Sequence, residues 1–339
     1  MDRDLVQQLL DQAGASRNRD VLADILRNAY DLAGDDADRL NLKITRDALR
    51  EMRAAFRMFA PYEGVRKATV FGSARTHPSD PLYVQAQELA GRLAEAGWMV
   101  VTGAGPGIME AAARGAGRER SFGVNIRLPF EEGVNDVLAD DDKFVSMKYF
   151  FTRKLMLIKE SSGFVSLPGG FGTQDETFEL LTLFQTGKAT PAPLVLLDIG
   201  GEGYWSGWRR FVDDHLAANG WISPNDEHLF LITDNVDEAV AAVRGFWRNY
   251  HSIRWVGSRL VIRLQAEPTE AEVARLNEEF DDLVLEGRIA TSPPLPAEAS
   301  DRDELERPRL VLQFDVRKGG RFRSFIEALN QLDSAPPLA

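Results

Sequence analysis

Apolar positions along the 339-residue chain follow two periods, and the change between them divides it. Up to about residue 60 they recur at helical spacing. Leu5, Val6, Leu9 and Leu10 form one stripe, Val21, Leu22, Ile25 and Leu26 a second, and Leu42, Leu49, Met52, Phe56 and Phe59 a third that Pro61 stops. This predicts a helical extension over 1–62 whose stripes pack on the rest of the chain or on another subunit. From Lys67 short apolar runs replace the stripes. ATVFGSA (68–74) reads as a buried strand ending in Gly72 and Ser73, with a helix over about 80–96 behind it. WMVVTGAGPGIMEAAARGA (98–116) repeats strand, glycine loop and helix, and SFGVNI (121–126) is a third strand. A helix is expected over roughly 143–160, then a strand through Phe164, Val165 and Leu167 and a further helix. PLVLLD (193–198), a helix around 204–218, LFLIT (229–233) and a helix to about 250 complete the series. Strands alternating with helices at this spacing predict an α/β fold, a Rossmann-like doubly wound parallel sheet over 63–252.

The pattern changes again near Ser258. RLVIRL (259–264) alternates, and Thr269 with Glu272 makes a capping box for a helix through 280. A proline-rich, acidic stretch (291–308) then leads to RLVLQFDV (309–316) and a helix over about 321–332. The two strand and helix units resemble a weak internal duplication and predict a small C-terminal α+β appendage over 258–339. Arg317, Lys318, Arg321 and Arg323 cluster there, and a solvated turn accounts for them better than a site for an anionic regulator.

Composition narrows the function classes. An apolar share of 44% with 27% charged residues excludes disordered and fibrous classes. With 40 Lys and Arg against 52 Asp and Glu, the net charge of −12 argues against nucleic acid or an anionic membrane as the main partner. No cysteine is present, so disulfides, thiolate metal sites and cysteine nucleophiles are excluded. The acidic N-terminus, MDRDLVQQLL, lacks the basic start of a signal peptide, and no apolar run approaches spanning length. A cytoplasmic location is expected. His77, His215, His228 and His251 lack metal-ligand spacing, so no metal site is expected.

The chemistry concentrates at strand ends, where a doubly wound sheet binds its ligand. VSLPGGFGTQDETFE (165–179) leaves a strand through Pro168 into Gly169, Gly170, Phe171, Gly172 and Thr173, then enters a helix. Glycines allow the backbone N–H groups to approach a ligand, and the partly positive helix end points at the same spot, which makes a phosphate cradle. Glu176 repels a phosphate unless it faces another part of the ligand, and a sugar attached to that phosphate satisfies both. Gly72 with Ser73 and the loop from Gly103 through Gly105 to Gly107 lie at two other strand ends, so three glycine loops converge on one edge. GAGPG (103–107) is no dinucleotide fingerprint: Ile108 stands where a third glycine is needed, and the following strand ends in Asn125 instead of an acid. That loop still serves as a second wall of a mononucleotide site, with Met109 and Glu110 opening its helix. Arg153 and Lys154, just upstream of the cradle, sit among Phe150, Phe151, Leu155, Met156 and Ile158. An arginine binds phosphate or carboxylate through paired hydrogen bonds, which favours a site role for Arg153 over surface snorkelling.

These residues carry a resemblance. PGGFGTQDE (168–176) is similar to the PGGxGTxxE signature of the LOG (lonely guy) family, cytokinin riboside 5′-monophosphate phosphoribohydrolases whose members are often mislabelled lysine decarboxylases. Arg153 and Lys154 match the family's arginine-lysine pair, and VFGSA (70–74) and GAGPGIME (103–110) resemble its earlier glycine loops. Phe150 and Thr152 stand where short plant-type members have Met and Glu, and the loop at 121–136 is longer than theirs, closer to a longer bacterial branch acting on general nucleoside monophosphates. The resemblance implies N-glycosidic cleavage of a nucleoside 5′-monophosphate to free base and ribose 5-phosphate, without metal or cofactor, by a homodimer or larger assembly. It implies catalytic roles for Glu176 and Arg153 and phosphate binding by Gly169, Gly170, Gly172 and Thr173. Gly72, Ser73, Gly103, Gly105, Gly107, Met109 and Lys154 would line the substrate. Two other readings stay open: a non-catalytic nucleotide-binding or carrier protein on the same fold, and a pyridoxal-phosphate decarboxylase, for which neither Lys154 nor Lys159 has a Schiff-base setting.

Overall fold

The change of period near Lys67 coincides with a change of architecture. The computed structural model of the chain describes residues 2–128, 135–200 and 203–338, in two compact units, Met1–Phe56 and Arg57–Ala339. The first holds α1 (Arg3–Gln12), α2 (Arg19–Gly34) and most of α3 (Arg39–Phe59). Val6, Leu10 and Ala23 form its small core. Arg19 ties α2 to α1 through Gln7 Oε1 at 2.8 Å and Asp11 at 2.7 Å, while Leu22, Ile25, Leu42 and Leu49 remain exposed.

The second unit begins with β1 (Lys67–Phe71), α4 (Pro81–Glu95), β2 (Met99–Thr102), α5 (Ile108–Ala116) and β3 (Ser121–Ile126). It continues through β4 (Phe144–Met147), α6 (Phe150–Lys159), β5 (Gly163–Ser166), α7 (Phe171–Gln185), β6 (Leu194–Leu197), α8 (Tyr204–Phe211), β7 (Leu231–Thr233) and α9 (Val236–Gly245). The seven strands form one parallel sheet in the order β4-β3-β2-β1-β5-β6-β7, so the doubly wound α/β expectation holds. β1 is central and buried along its whole length, because helices cover both faces of such a sheet. Val70, Val100, Val165 and Val195 pack with Leu89, Ile108 and Val240 from the covering helices. Helices α4 and α5 approach closely at Gly115, where a Cβ would lie 2.0 Å from the Gln87 carbonyl.

Several boundaries differ from expectation. Residues 144–147 form a strand instead of the first turn of a helix: Val145 and Met147 are buried on alternate positions, and the segment pairs with β3. The helix from 204 widens into a π-type turn over Val212–Ala217, and the strand expected at 229–233 starts at Leu231 after a turn over Pro224–Leu229. Of the long loop at 121–136, residues 129–134 lie outside the described residues.

The last part of the unit is a four-stranded antiparallel sheet in the order β10-β11-β9-β8, made by β8 (Tyr250–Val256), β9 (Arg259–Leu264), β10 (Ala290–Thr291) and β11 (Arg309–Leu312). It already begins at Tyr250, whose fully buried ring pairs in register with Leu264. Helices α10 (Glu270–Glu279), α11 (Pro296–Asp301) and α12 (Gly319–Gln331) accompany it, with Leu260, Ile262, Phe280, Leu310, Phe325 and Ile326 in its core. The Thr269–Glu272 capping box forms as expected. No helix among the described residues is long and apolar enough to cross a membrane.

Candidate active site

The strand order reverses between β1 and β5, and the loops leaving these two neighbours bound a crevice there. The loops are fastened to one another before any ligand is considered. Ser73 N–H donates to the Pro168 carbonyl at 3.2 Å, and the Ser73 carbonyl accepts from Ile108 N–H at 3.0 Å. Gly107, at φ +67, sits where a Cβ would lie 2.3 Å from the Ser73 carbonyl, and a Cβ on Gly72 would meet Ile108 at 2.6 Å. Asn125 Nδ2 donates to the Gly103 carbonyl at 3.1 Å and Asn135 Nδ2 to the Gly105 carbonyl at 3.2 Å, holding the middle loop from its other side.

Together the loops enclose a cavity of about 840 Å³. Of the residues singled out by sequence, Gly72, Ser73, Gly103, Gly105, Met109, Arg153, Gly169, Gly170, Gly172, Thr173 and Glu176 line it. Gly107 and Lys154 stand outside the lining. Gly107 is a joint between two loops, and Lys154 pairs with Glu179 at 2.7 Å and Asp175 at 3.0 Å on the flank of α7.

The cradle consists of the start of α7. Its N-cap is Gly170, no side chain caps the first turn, and Gly170, Phe171, Gly172 and Thr173 line the cavity. Gly169 is required by the fold, since a Cβ there would lie 2.2 Å from Thr173 Oγ1. Gly170 and Gly172 have nothing within 4 Å of where a Cβ would be, although both line the cavity. Packing does not demand glycine at these two positions; a ligand held close to the backbone would. Tyr204, which the sequence reading did not single out, completes this wall. Its hydroxyl donates to the Gly169 carbonyl at 2.6 Å and is also hydrogen-bonded by Gln174. The only hint in the sequence is its position at the helix start following the β6 strand end.

One turn further along α7, Glu176 faces Arg153, with Nη1 3.7 Å from Oε1 and the side chains only 11% and 12% exposed. Arg153 is aimed by its Nε, which donates to the Val124 carbonyl of β3 at 3.0 Å. Burial pushes the Glu176 carboxyl up to about 7 against the pull of the Arg153 guanidinium, with Asp175 adding to the rise. A carboxyl that titrates near neutrality beside a helix N-terminus suits acid–base or charge-stabilising chemistry. Among the described residues no group of three or more His, Cys, Asp or Glu side chains has the arrangement of a metal site.

Fold and cavity thus define a doubly wound α/β protein with its ligand crevice at the reversal of the strand order. Residues 107–243 match the family model described as "Possible lysine decarboxylase". Curated relatives include the cytokinin riboside 5′-monophosphate phosphoribohydrolase of Mycobacterium marinum, 29% identical over 179 residues, covering 52% of this chain and 91% of the relative. The same-named protein of Mycobacterium tuberculosis is 29% identical over 161 residues, 46% of this chain and 82% of the relative. The molybdenum cofactor carrier protein of Chlamydomonas reinhardtii is a similar solved structure, at 23% identity and a TM-score of 0.38 over 53% of this chain and 96% of that one. The resemblance of the cradle and its companion motifs to the LOG family is borne out by the family match and these relatives.

Proposed function

We propose that the protein hydrolyses the N-glycosidic bond of nucleoside 5′-monophosphates, releasing the free base and ribose 5-phosphate. The observation that carries this reading is Glu176: a buried carboxyl, raised to about 7, in the same cavity as an open phosphate cradle. In this reading the first amides of α7, with Thr173, hold the 5′-phosphate, and this remote binding energy fixes the sugar. Glu176 lies on the same helix face as Thr173 and Gly172, about one turn further in. There it stabilises the positive charge that develops on the ribose as the bond from C1′ to the base nitrogen breaks. Water adds its oxygen to C1′, and its protons are shared between the new hydroxyl and the departing base. Arg153 favours the ionised form of Glu176 and contacts the leaving side of the substrate. No step calls on a cofactor. The Mycobacterium relatives support the reaction class, and cytokinin ribotides are among the candidate substrates. Phe150, Phe151 and Leu155, each about half exposed on α6, support a homo-oligomeric state with α6 at the contact.

The test is incubation with AMP, GMP, CMP, UMP and N6-prenylated AMP, with chromatography for free base, beside Glu176→Gln. Release of base by the parent and its loss in the variant is the expected result. Tight nucleotide binding with no base released would instead make the chain a binding or carrier protein.

A further inference from the structure

The far end of α7 runs into the antiparallel part of the unit. A Cβ on Gly319, the first residue of α12, would lie 2.8 Å from the Gln185 carbonyl and 2.9 Å from that of Phe184, so the two helix ends abut. Beside this joint is a cavity of about 290 Å³, separate from the cradle. Its walls are mainly apolar, with Phe184, Leu229, Ile253, Leu260, Phe314 and Phe322 prominent. Lys188 and Arg323 also stand in the walls, and no Asp or Glu is among the described lining residues. In a chain carrying 52 acids against 40 basic residues, that choice of sign runs against the background.

Arg323 differs from the rest of the basic cluster in which it lies. Arg317 pairs with Asp315 at 2.7 Å, Lys318 and Arg321 pair with Asp282 at 3.0 and 3.2 Å, and these three act as salt-bridged surface groups. The Arg323 side chain is 11% exposed and lies over the Phe246 ring at 4.5 Å, with Nη1 donating to the Ala192 carbonyl at 3.2 Å. Its acidic partner, Glu327, is 2.9 Å from Nε but 45% exposed, so water screens the carboxylate more than the guanidinium. Burial accordingly holds the Arg323 pKa below its ordinary value. The N-terminus of α12, whose Gly319 also lines the cavity, adds partial positive charge. An apolar cavity with a few convergent polar groups of one sign is the usual form of a small-molecule site.

We propose that this cavity is a second ligand site, for a small apolar molecule carrying one anionic group. The apolar body lies against Phe184, Leu260 and Phe322, and the anion faces Arg323 and Lys188.

The test is calorimetric titration of the full chain with 2-naphthoate and with its neutral isostere 2-naphthamide. One saturable site per chain is expected for the acid, with the amide weaker by about tenfold or more, the worth of a charge-assisted hydrogen bond. Arg323→Gln should remove the difference between the two probes. Because that residue is buried, Ala189→Phe, which places a ring into the lining from a half-exposed loop position, serves as the second variant and should abolish binding while leaving the circular dichroism of the parent. Failure of the parent to bind the acid saturably, equal binding of acid and amide, or parent-like binding by Ala189→Phe would each overturn the proposal. No hydrolysis is measured, so the outcome is independent of the reaction proposed for the cradle.

Discussion

Replacing Glu176 by Gln should make the protein more stable while removing its chemistry, and the gain should depend on pH. The carboxyl has an ordinary value of 4.5 and is raised to about 7 in the fold. The folded state therefore holds this proton more tightly than the unfolded chain does. Below pH 4.5 both states are protonated and the group is neutral in its effect. As pH rises from 4.5 to 7 the unfolded chain releases the proton first, and stability falls; above 7 the deficit is complete. At about 1.4 kcal/mol per pH unit, the difference amounts to about 3 kcal/mol. The side chain is only 12% exposed, so solvent screens it little. With an unfolding entropy of about 2.1 cal/mol/K per residue, a unit of this size should melt about 5 °C higher in the Gln variant at pH 8. At pH 4.5 the two proteins should melt together. Differential scanning calorimetry of both proteins at half-unit steps from pH 4.5 to 8 measures this directly. A melting difference that stays flat across the range, or a variant less stable than the parent at pH 8, would falsify the buried-carboxyl account.

Three further outcomes follow from the same geometry. Activity of the parent should rise with pH through an apparent value near 7, and Arg153→Gln should move that limb upward, because the guanidinium at 3.7 Å opposes the rise of the Glu176 carboxyl; a limb that stays in place in the variant's pH–rate profile contradicts the pairing. Gly172→Ala meets open space in the protein, so its thermal stability should be unchanged or up to about 1 kcal/mol greater, as for Gly to Ala within a helix, while nucleotide affinity by calorimetry falls about tenfold or more. Tyr204→Phe removes the hydrogen bond to the Gly169 carbonyl, worth about 1 kcal/mol, and should weaken inhibition by ribose 5-phosphate about fivefold with a smaller change in kcat; an unchanged inhibition constant would separate Tyr204 from the cradle.

The glycine loops and the parallel sheet were legible because they depend on local rules: short apolar runs alternate with helices, and glycines stand where the strands end. What escaped depends on facing. Phe144, Met147 and Phe151 recur at three and four residues, which reads as a helix, and only the pairing of residues 144–147 with β3 makes them a strand. Arg153 and Lys154 stand side by side in the sequence, yet neighbours on a helix point about 100° apart. One of them reaches the cavity and the other reaches Asp175 and Glu179. Gly107 belongs to the glycine motif but is used for loop packing, since its positive φ and the Ser73 carbonyl leave no room for a side chain. Tyr204 joins Gly169 across 35 positions of sequence, a contact that no local pattern encodes.

The sequence also posed a question of charge that distances help to decide: whether Glu176 can stay ionised with a phosphate bound. From the start of α7 to Glu176 is five residues, or about 7 Å along the axis. A phosphate dianion at that separation repels the carboxylate by about 5 kcal/mol at an effective dielectric of 20. Arg153, at 3.7 Å, attracts it by about 4 kcal/mol on the same scale. The value of about 7 already contains the pull of Arg153, so a bound phosphate dianion raises the Glu176 carboxyl further, and Arg153 limits that rise. In the proposed reaction Arg153 would act partly through Glu176, and the hydrogen bond from its Nε to the Val124 carbonyl of β3 holds the guanidinium in place.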